Sequence, residues 1–150
     1  MQNILNFYQI TDRIATSGQP AVGEFSKIKD AGYSLIINLA MSDATNAVPE
    51  EEGIIRDLGI THVHIPIPFD KPDIDHLIAF FGIMDAFKNK KVFVHCALNL
   101  RVSVFTYKYL VFKDNADSET AISPFLQEWI PNMDEKWKKI LNLTKQDIPL

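Results

Sequence analysis

A cysteine and an arginine flank a short loop in the segment VFVHCALNLRVS (92–103). The apolar residues before the cysteine predict a buried strand ending at His95, and a helix is predicted from about Arg101 to Lys113. Backbone amides at a helix N-terminus, and amides that turn inward in a loop, both favour an anion. The same field favours a thiolate at Cys96, which is a nucleophile. This order of elements predicts an oxyanion site, whereas the alternative is a buried cysteine and a surface arginine.

The residues between Cys96 and Arg101 are expected to contribute backbone amides rather than side chains. The predicted oxyanion-binding residues are Ala97, Leu98, Asn99, Leu100 and Arg101. The guanidinium of Arg101 adds a planar fork that matches two oxygens of a phosphoryl or sulfuryl group. None of these residues is glycine, but Asn99 is the next-best residue for a positive φ. His95 precedes Cys96 in the strand and points the other way, so we interpret it as a supporting residue that hydrogen-bonds the loop backbone.

Apolar strands alternate with amphipathic helices along the chain. Predicted strands lie at 34–40, 61–67 and 91–95, after one or two short strands within 7–19. Predicted helices lie at 20–31, 49–59, 74–87, 101–113, 124–130 and 134–143. The alternation predicts an α/β fold in which a mostly parallel central sheet has helices on both faces, as one domain over 1–150. Ligands of such sheets bind beyond the carboxyl ends of the strands, which groups Asp43, Asp70 and Cys96 at one edge.

Composition excludes several classes of function. A chain of 150 residues with 47% hydrophobic and 23% charged residues is typical of one globular domain. The net charge is −4 without a strongly basic stretch, so nucleic acid is not an expected partner. The N-terminus does not resemble a signal peptide, and no apolar run is long enough to span a membrane. With a single cysteine, we expect a cytoplasmic protein that makes no membrane contact.

Four segments in order resemble the dual-specificity and tyrosine phosphatase superfamily. They are ITDRIATSGQP, AGYSLIINLA, GITHVHIPIPF and VFVHCALNLRVS, and they extend over most of the chain. The resemblance is closer to the small bacterial proteins related to the beta-lactamase-hydrolase-like phosphatase domain. It implies a dual-specificity-phosphatase-like fold and hydrolysis of a small-molecule or protein phosphate monoester without a cofactor. It also implies Cys96 as nucleophile, Arg101 as oxyanion clamp and an aspartate general acid on a separate loop.

The general acid that the resemblance implies is assigned to Asp70. This residue lies just past the strand that includes THVHIPI, where the family places its acid. Asp73 is interpreted as a helix cap after Pro72, and Asp43 is a second-loop candidate. No metal site is expected, because no cysteine or carboxylate pattern accompanies the histidines at 62 and 64, which are interpreted as packing residues.

The loop departs from the phosphatase signature, and the departures define two alternatives. The signature has five residues between cysteine and arginine, whereas this chain has four. A hydroxyl residue normally follows the arginine, but here Val102 follows, and Ser103, which we interpret as a supporting residue, comes one position later. The short loop resembles that of rhodanese sulfurtransferases, which favours a Cys96 persulfide carrier as one alternative. The missing glycine and displaced serine favour the other, a module that binds phosphate or sulfate without turnover.

Overall fold

The computed structural model describes residues 1–149, and the strands and helices alternate as the sequence predicts. The strands are β1 (Tyr8–Gln9), β2 (Ile14–Ser17), β3 (Leu35–Asn38), β4 (Thr61–His64) and β5 (Val92–His95). The helices are α1 (Phe25–Asp30), α2 (Glu51–Asp57), α3 (Ile74–Ala86), α4 (Leu100–Lys113), α5 (Ser118–Ala121), α6 (Pro124–Trp129) and α7 (Glu135–Leu141). Short 3₁₀ turns precede α1 and follow α6.

Within the described residues, five strands form one sheet in the order β1-β2-β5-β3-β4. Strand β5 pairs in parallel with both β2 and β3, and β4 pairs in parallel with β3. The short β1 is the antiparallel member, pairing with β2. The prediction of a mostly parallel α/β sheet is therefore confirmed.

Helices cover both faces of this sheet. Alternate residues of β5 belong to two cores, since Val92 and Val94 share one core with residues of α3, α4, α6 and α7, while Phe93 shares the other with residues of α1 and α2. The side chains of these three residues are fully buried, as a strand between two layers of helices requires. Burial on both faces fixes the register of β5, because a slip of one residue would exchange its two sets of side chains.

The carboxyl ends of four strands meet at one edge of the sheet. The register aligns Ser17 of β2, His95 of β5, Asn38 of β3 and His64 of β4 in one row. The loop that contains Cys96 emerges from the middle of this row, where the crevice of an open α/β sheet binds ligands. No helix within residues 1–149 is long and apolar enough to cross a membrane.

Candidate active site

Asn99 shapes the loop between β5 and α4. Its φ is +72°, in the left-handed region, and α4 begins at the next residue. The fully buried side chain donates through Nδ2 to the carbonyl oxygen of Asn6 at 2.8 Å and to Oγ1 of Thr16 at 3.1 Å. Asparagine tolerates this conformation better than other residues with a side chain, and the two hydrogen bonds hold it there. The loop turns tightly without glycine, as the sequence predicts.

The carbonyl groups of the loop point away from its centre toward donors in the surrounding protein. The carbonyl oxygen of Ala97 accepts hydrogen bonds from the backbone amide of Gln19 and from Nδ2 of Asn46, each at 3.0 Å. The carbonyl oxygen of Leu98 accepts one from Nδ2 of Asn6, also at 3.0 Å. These contacts orient the peptide groups from outside the loop, so the amides on their opposite sides are turned toward its interior.

The amides of this loop have no acceptor in the part of the chain that the structure describes. Among residues 1–149, no backbone or side-chain oxygen accepts a hydrogen bond from the amides of Ala97, Leu98, Asn99, Leu100 or Arg101. The last two lie in the first turn of α4, whose dipole places partial positive charge at the same point. Successive free amides at a helix N-terminus form a cradle suited to an oxyanion.

Arg101 lies beside this cradle and is only 7% exposed. Its Nη1 donates to the carbonyl oxygen of Ile67 at 2.9 Å, and its guanidinium carbon lies 5.5 Å from the ring centroid of Phe69. These contacts come from the segment that follows β4. Its buried Nε has no hydrogen-bond partner within the described residues. A buried donor left without a partner costs about 1–3 kcal/mol, which an anion accepting from that Nε would remove.

Cys96 lies at the base of the loop and is 1% exposed. Its amide donates to the carbonyl oxygen of Ser17 at 3.3 Å, which continues the pairing of β5 with β2 past the end of both strands. The hydroxyl of Ser103 donates to the carbonyl oxygen of Leu100 at 2.6 Å within the first turn of α4. The displaced serine that the sequence suggests as a supporting residue is therefore bonded to its own helix.

His95 contacts the backbone of the loop and belongs to a cluster of buried polar side chains. Its Nδ1 lies 3.1 Å from the carbonyl oxygen of Cys96, and its Nε2 lies 2.8 Å from Oε2 of Glu51. The same Oε2 lies 3.0 Å from Nε2 of His62, and Oε1 accepts from Nε2 of Gln19 at 2.6 Å. Burial by itself raises the pKa of the Glu51 carboxyl, but these hydrogen bonds and the charge of His95 outweigh burial and hold the pKa well below its usual range.

The structure does not bring the side chain of Asp70 into this cluster. Asp70 is exposed in a turn after β4, and its carbonyl oxygen accepts from Nζ of Lys136 at 2.9 Å. It lines a cavity of about 570 Å³ together with residues of α3 and α7, and none of the loop residues 96–101 lines that cavity. Its neighbour Phe69 lies against Arg101, so the segment that carries Asp70 passes beside the anion cradle.

Several residues of the site have no distinct signal in the sequence. Glu51 is one of three consecutive glutamates, and only packing distinguishes it, since it is 7% exposed while its two neighbours are exposed. Asn6 and Asn46 lie far from the loop along the chain. The interpretation of His62 as a packing residue is wrong, because its ring hydrogen-bonds the Glu51 carboxylate. His64 is exposed and contacts the carbonyl oxygen of Ala40 at 2.6 Å.

The segment 16–20 forms a wall of the site as well as a turn. The amide of Gln19 holds the carbonyl of Ala97, while the Gln19 side chain contacts Glu51. Gly18 lies so close to the loop that a Cβ there would be 2.7 Å from the carbonyl oxygen of Ala97. The close approach explains why this position has no side chain.

The fold and part of the sequence are shared with solved phosphatase-like proteins. A phosphatase-like DUF442 protein from Shewanella putrefaciens CN-32 has a TM-score of 0.84 and 31% identity, covering 93% of this chain and 91% of that one. The catalytic core of the PP-IP phosphatase SIW14 from S. cerevisiae has a TM-score of 0.74 and 14% identity, covering 96% and 88%. Tk-PTP in its active form has a TM-score of 0.72 and 21% identity, covering 91% and 93%. No family model and no curated protein matches the sequence.

Proposed function

Since the chain belongs to the DUF442 family of phosphatase-like proteins, we propose that it hydrolyses a phosphate monoester through a cysteinyl-phosphate intermediate. The observation that carries the proposal is the set of unpartnered donors around Cys96. Five consecutive amides and the buried Nε of Arg101 lack acceptors among residues 1–149. A phosphoryl group supplies three oxygens to such donors, which are most effective where charge develops in the transition state.

In the first step, the thiolate of Cys96 attacks phosphorus in line with the ester oxygen. The S–P bond forms as the P–O bond breaks, and the leaving oxygen takes the bonding electron pair. The amides of the loop and Arg101 hold the three equatorial oxygens through the transfer. The phosphoryl group is then covalently held by Cys96.

In the second step, a water molecule attacks the phosphoryl group and the S–P bond breaks. The sulfur recovers its electron pair as a thiolate, and inorganic phosphate leaves with the oxygen of the water. We assign the proton transfers to Asp70, which protonates the leaving oxygen in the first step and accepts the proton of the attacking water in the second. The contact of Phe69 with Arg101 supports this assignment, because it keeps the Asp70 segment beside the cradle.

The proposal is tested with p-nitrophenyl phosphate and three variants of the full chain. We expect Cys96→Ser to abolish phosphate release and Arg101→Ala to reduce it by roughly 10²–10³-fold, as loss of an oxyanion donor does in other enzymes. Asp70→Asn is expected to reduce turnover by roughly 10²-fold with p-nitrobenzyl phosphate, whose leaving group needs a proton. Acid quench and mass spectrometry should detect a phosphoryl group on Cys96 in the native protein.

Asp75→Asn is a matched control, since this exposed aspartate follows Asp70 along the same segment at the start of α3. It should turn over at the native rate. Phosphate release that survives Cys96→Ser would contradict the nucleophile assignment. Equal turnover by Asp70→Asn and Asp75→Asn would contradict the choice of acid.

Two observations favour a second candidate, an anion-binding module without turnover. The hydroxyl of Ser103 is bonded to Leu100, and the carboxylate of Asp70 lies in the exposed turn outside the polar cluster around Cys96. Under this candidate, phosphate or vanadate raises the melting temperature while a panel of monoesters yields no phosphate. Stabilisation by vanadate that is lost in Arg101→Ala would locate the anion, and equal stabilisation of both proteins would exclude this site.

The spacing of Cys96 and Arg101 supports the sulfur-transfer alternative, which has a separate assay. A Cys96 persulfide would convert thiosulfate and cyanide to thiocyanate. The phosphatase-like neighbours favour phosphate chemistry, so we expect no thiocyanate from the purified protein.

A further inference from the structure

Both ring nitrogens of His95 face hydrogen-bond acceptors. Nδ1 lies 3.1 Å from the carbonyl oxygen of Cys96, which accepts and never donates. Nε2 lies 2.8 Å from Oε2 of Glu51. If the carboxyl group of Glu51 is ionised, both nitrogens must donate, and the ring is an imidazolium.

The surroundings of Glu51 fit the ionised form. The carboxylate is 7% exposed and receives contacts from three side chains, those of His62, His95 and Gln19. Buried carboxylates are found with this many partners when they are charged, because each donor stabilises the charged oxygen. The contacts also explain why the pKa of Glu51 lies below its usual range despite burial.

We propose that Glu51 is a positioning residue for Cys96, because its buried carboxylate holds His95 as an imidazolium. That ring fixes the Cys96 carbonyl and places a positive charge next to the loop. The inference rests on the proposed function only where it concerns turnover. Among residues 1–149, Glu51 makes no hydrogen bond to residues 96–101, and it contacts His95, which in turn contacts the loop. Its effect on the thiol therefore passes through the orientation and charge of that ring.

The charged and titratable groups around the thiol come from four elements. His95 of β5 precedes Cys96 directly, Arg101 of α4 ends the loop, and Glu51 of α2 contacts the ring of His95. His62 of β4 contacts the same carboxylate oxygen and lines a cavity of about 340 Å³ next to it. Because His95 is adjacent to Cys96 in the chain, a proton retained on its ring favours the thiolate of Cys96.

Removing the carboxylate should release that proton. In Glu51→Gln, a buried imidazolium would lose its counter-ion, and burial then favours the neutral ring. The neutral ring still donates through Nδ1 to Cys96, so the loop keeps its carbonyl contact but loses the positive charge. Glu51→Asp keeps the charge on a side chain shorter by one methylene, and should retain part of the native behaviour.

The test compares Glu51→Gln with Glu52→Gln, which removes an exposed carboxylate from the next position of α2. The first readout is nitrogen-15 NMR of the histidine rings at pH 8. In the native protein and Glu52→Gln we expect protons on both nitrogens of His95, and in Glu51→Gln on one. The second is the pH profile of iodoacetamide alkylation at Cys96, whose midpoint should rise by about one unit in Glu51→Gln alone.

The third readout is the steady-state rate with p-nitrophenyl phosphate. We expect kcat of Glu51→Gln to fall about tenfold at neutral pH while KM changes by less than twofold, because the amides of the anion cradle remain. A native His95 ring that carries one proton at pH 8 would overturn the proposal, and this measurement needs no variant to fold. So would an alkylation midpoint shared by Glu51→Gln and Glu52→Gln. An absence of phosphate release from every protein would contradict the proposed function and leave the first two readouts to decide the role of Glu51.

Discussion

Gly18 lies where the turn after β2 comes close to the loop of Cys96. A Cβ at this position would lie 2.7 Å from the carbonyl oxygen of Ala97 and 3.2 Å from two side-chain carbons of Leu5. The first neighbour is backbone, which cannot rotate away as a side chain can. Gly18→Ala therefore tests whether the geometry of the loop controls the chemistry.

The size of the disturbance follows from these distances. Ordinary van der Waals contact begins at about 3.4 Å, so the carbonyl of Ala97 must retreat by roughly 0.7 Å or the turn must move by the same amount. That carbonyl is bonded to Gln19 and Asn46, both at 3.0 Å, and such a shift lengthens both hydrogen bonds. We expect a loss of about 1–3 kcal/mol in unfolding free energy, as overpacking gives elsewhere.

Catalysis should suffer more than stability. A misplacement near 1 Å costs roughly 10²-fold in rate, so a shift of this size should reduce kcat for p-nitrophenyl phosphate by roughly 10–100-fold. The assay pairs this rate with urea unfolding. Gly82→Ala and Gly23→Ala are the controls, because a Cβ at either position meets nothing within 4 Å. Gly82 lies inside α3, where alanine should stabilise the protein by about 0.5–1 kcal/mol.

Two results would refute this reasoning. If Gly18→Ala turned over within twofold of the native protein, the position of the loop would not limit the reaction. If Gly82→Ala lost as much activity as Gly18→Ala, the loss would be a general effect of replacing glycine rather than of crowding the loop.

Three further predictions concern single side chains. Asn99→Ala should lower the unfolding free energy in urea by about 1–3 kcal/mol, because two hydrogen bonds are lost and φ stays at +72°. Asn99→Gly relieves the backbone and should lose less stability, and the reverse order would refute the argument. Lys108→Met should lower the unfolding free energy by about 1–3 kcal/mol in thermal unfolding, because the buried Nζ donates to the carbonyls of Leu141 and Leu143. An unchanged melting temperature would mean that these contacts are not stabilising. Because the pKa of Glu51 is lower in the folded state than in the unfolded state, where it is about 4.3, its ionised carboxylate stabilises the protein above pH 4.3, and this contribution is lost as pH falls toward the folded-state pKa. Glu51→Gln should therefore lose less stability than the native protein in urea titrations from pH 6 to 3. Parallel plots of unfolding free energy against pH for the two proteins would contradict the assignment.

Local patterns in the sequence predict the elements that position the site. The uninterrupted apolar run of β5, the cysteine after it and the helix from Leu100 each depend on neighbouring residues, and all are present in the structure. Strand β4 ends at His64 rather than at residue 67. The amides of Ile65 and Ile67 still bond to the β3 side, but Pro66 between them has no amide to pair, which ends the regular ladder.

The polar cluster behind the loop depends on contacts between distant parts of the chain, which no local pattern contains. Three consecutive glutamates predict an exposed acidic start of a helix, and only the docking of α2 against the sheet selects Glu51 for burial. Once buried, it needs donors, and the histidines of two adjacent strands provide them. The position of Asp70 depends in a similar way on how the segment after β4 packs against α7.

The contacts of the loop explain how a short sequence without glycine can form an anion site. The carbonyls of residues 96–99 each accept a hydrogen bond from outside the loop or from α4. The donor to Cys96 is His95 Nδ1, the donors to Ala97 are Gln19 N and Asn46 Nδ2, the donor to Leu98 is Asn6 Nδ2, and the donor to Asn99 is Ser103 N. These donors belong to separate parts of the fold, so the folded protein and not the loop alone determines which way its amides point. Donors fixed in this way need no reorganisation when an anion arrives, which is where preorganised sites gain their advantage over water. Replacing a side-chain donor, at His95, Asn46 or Asn6, should therefore weaken anion binding by releasing the carbonyl that it holds.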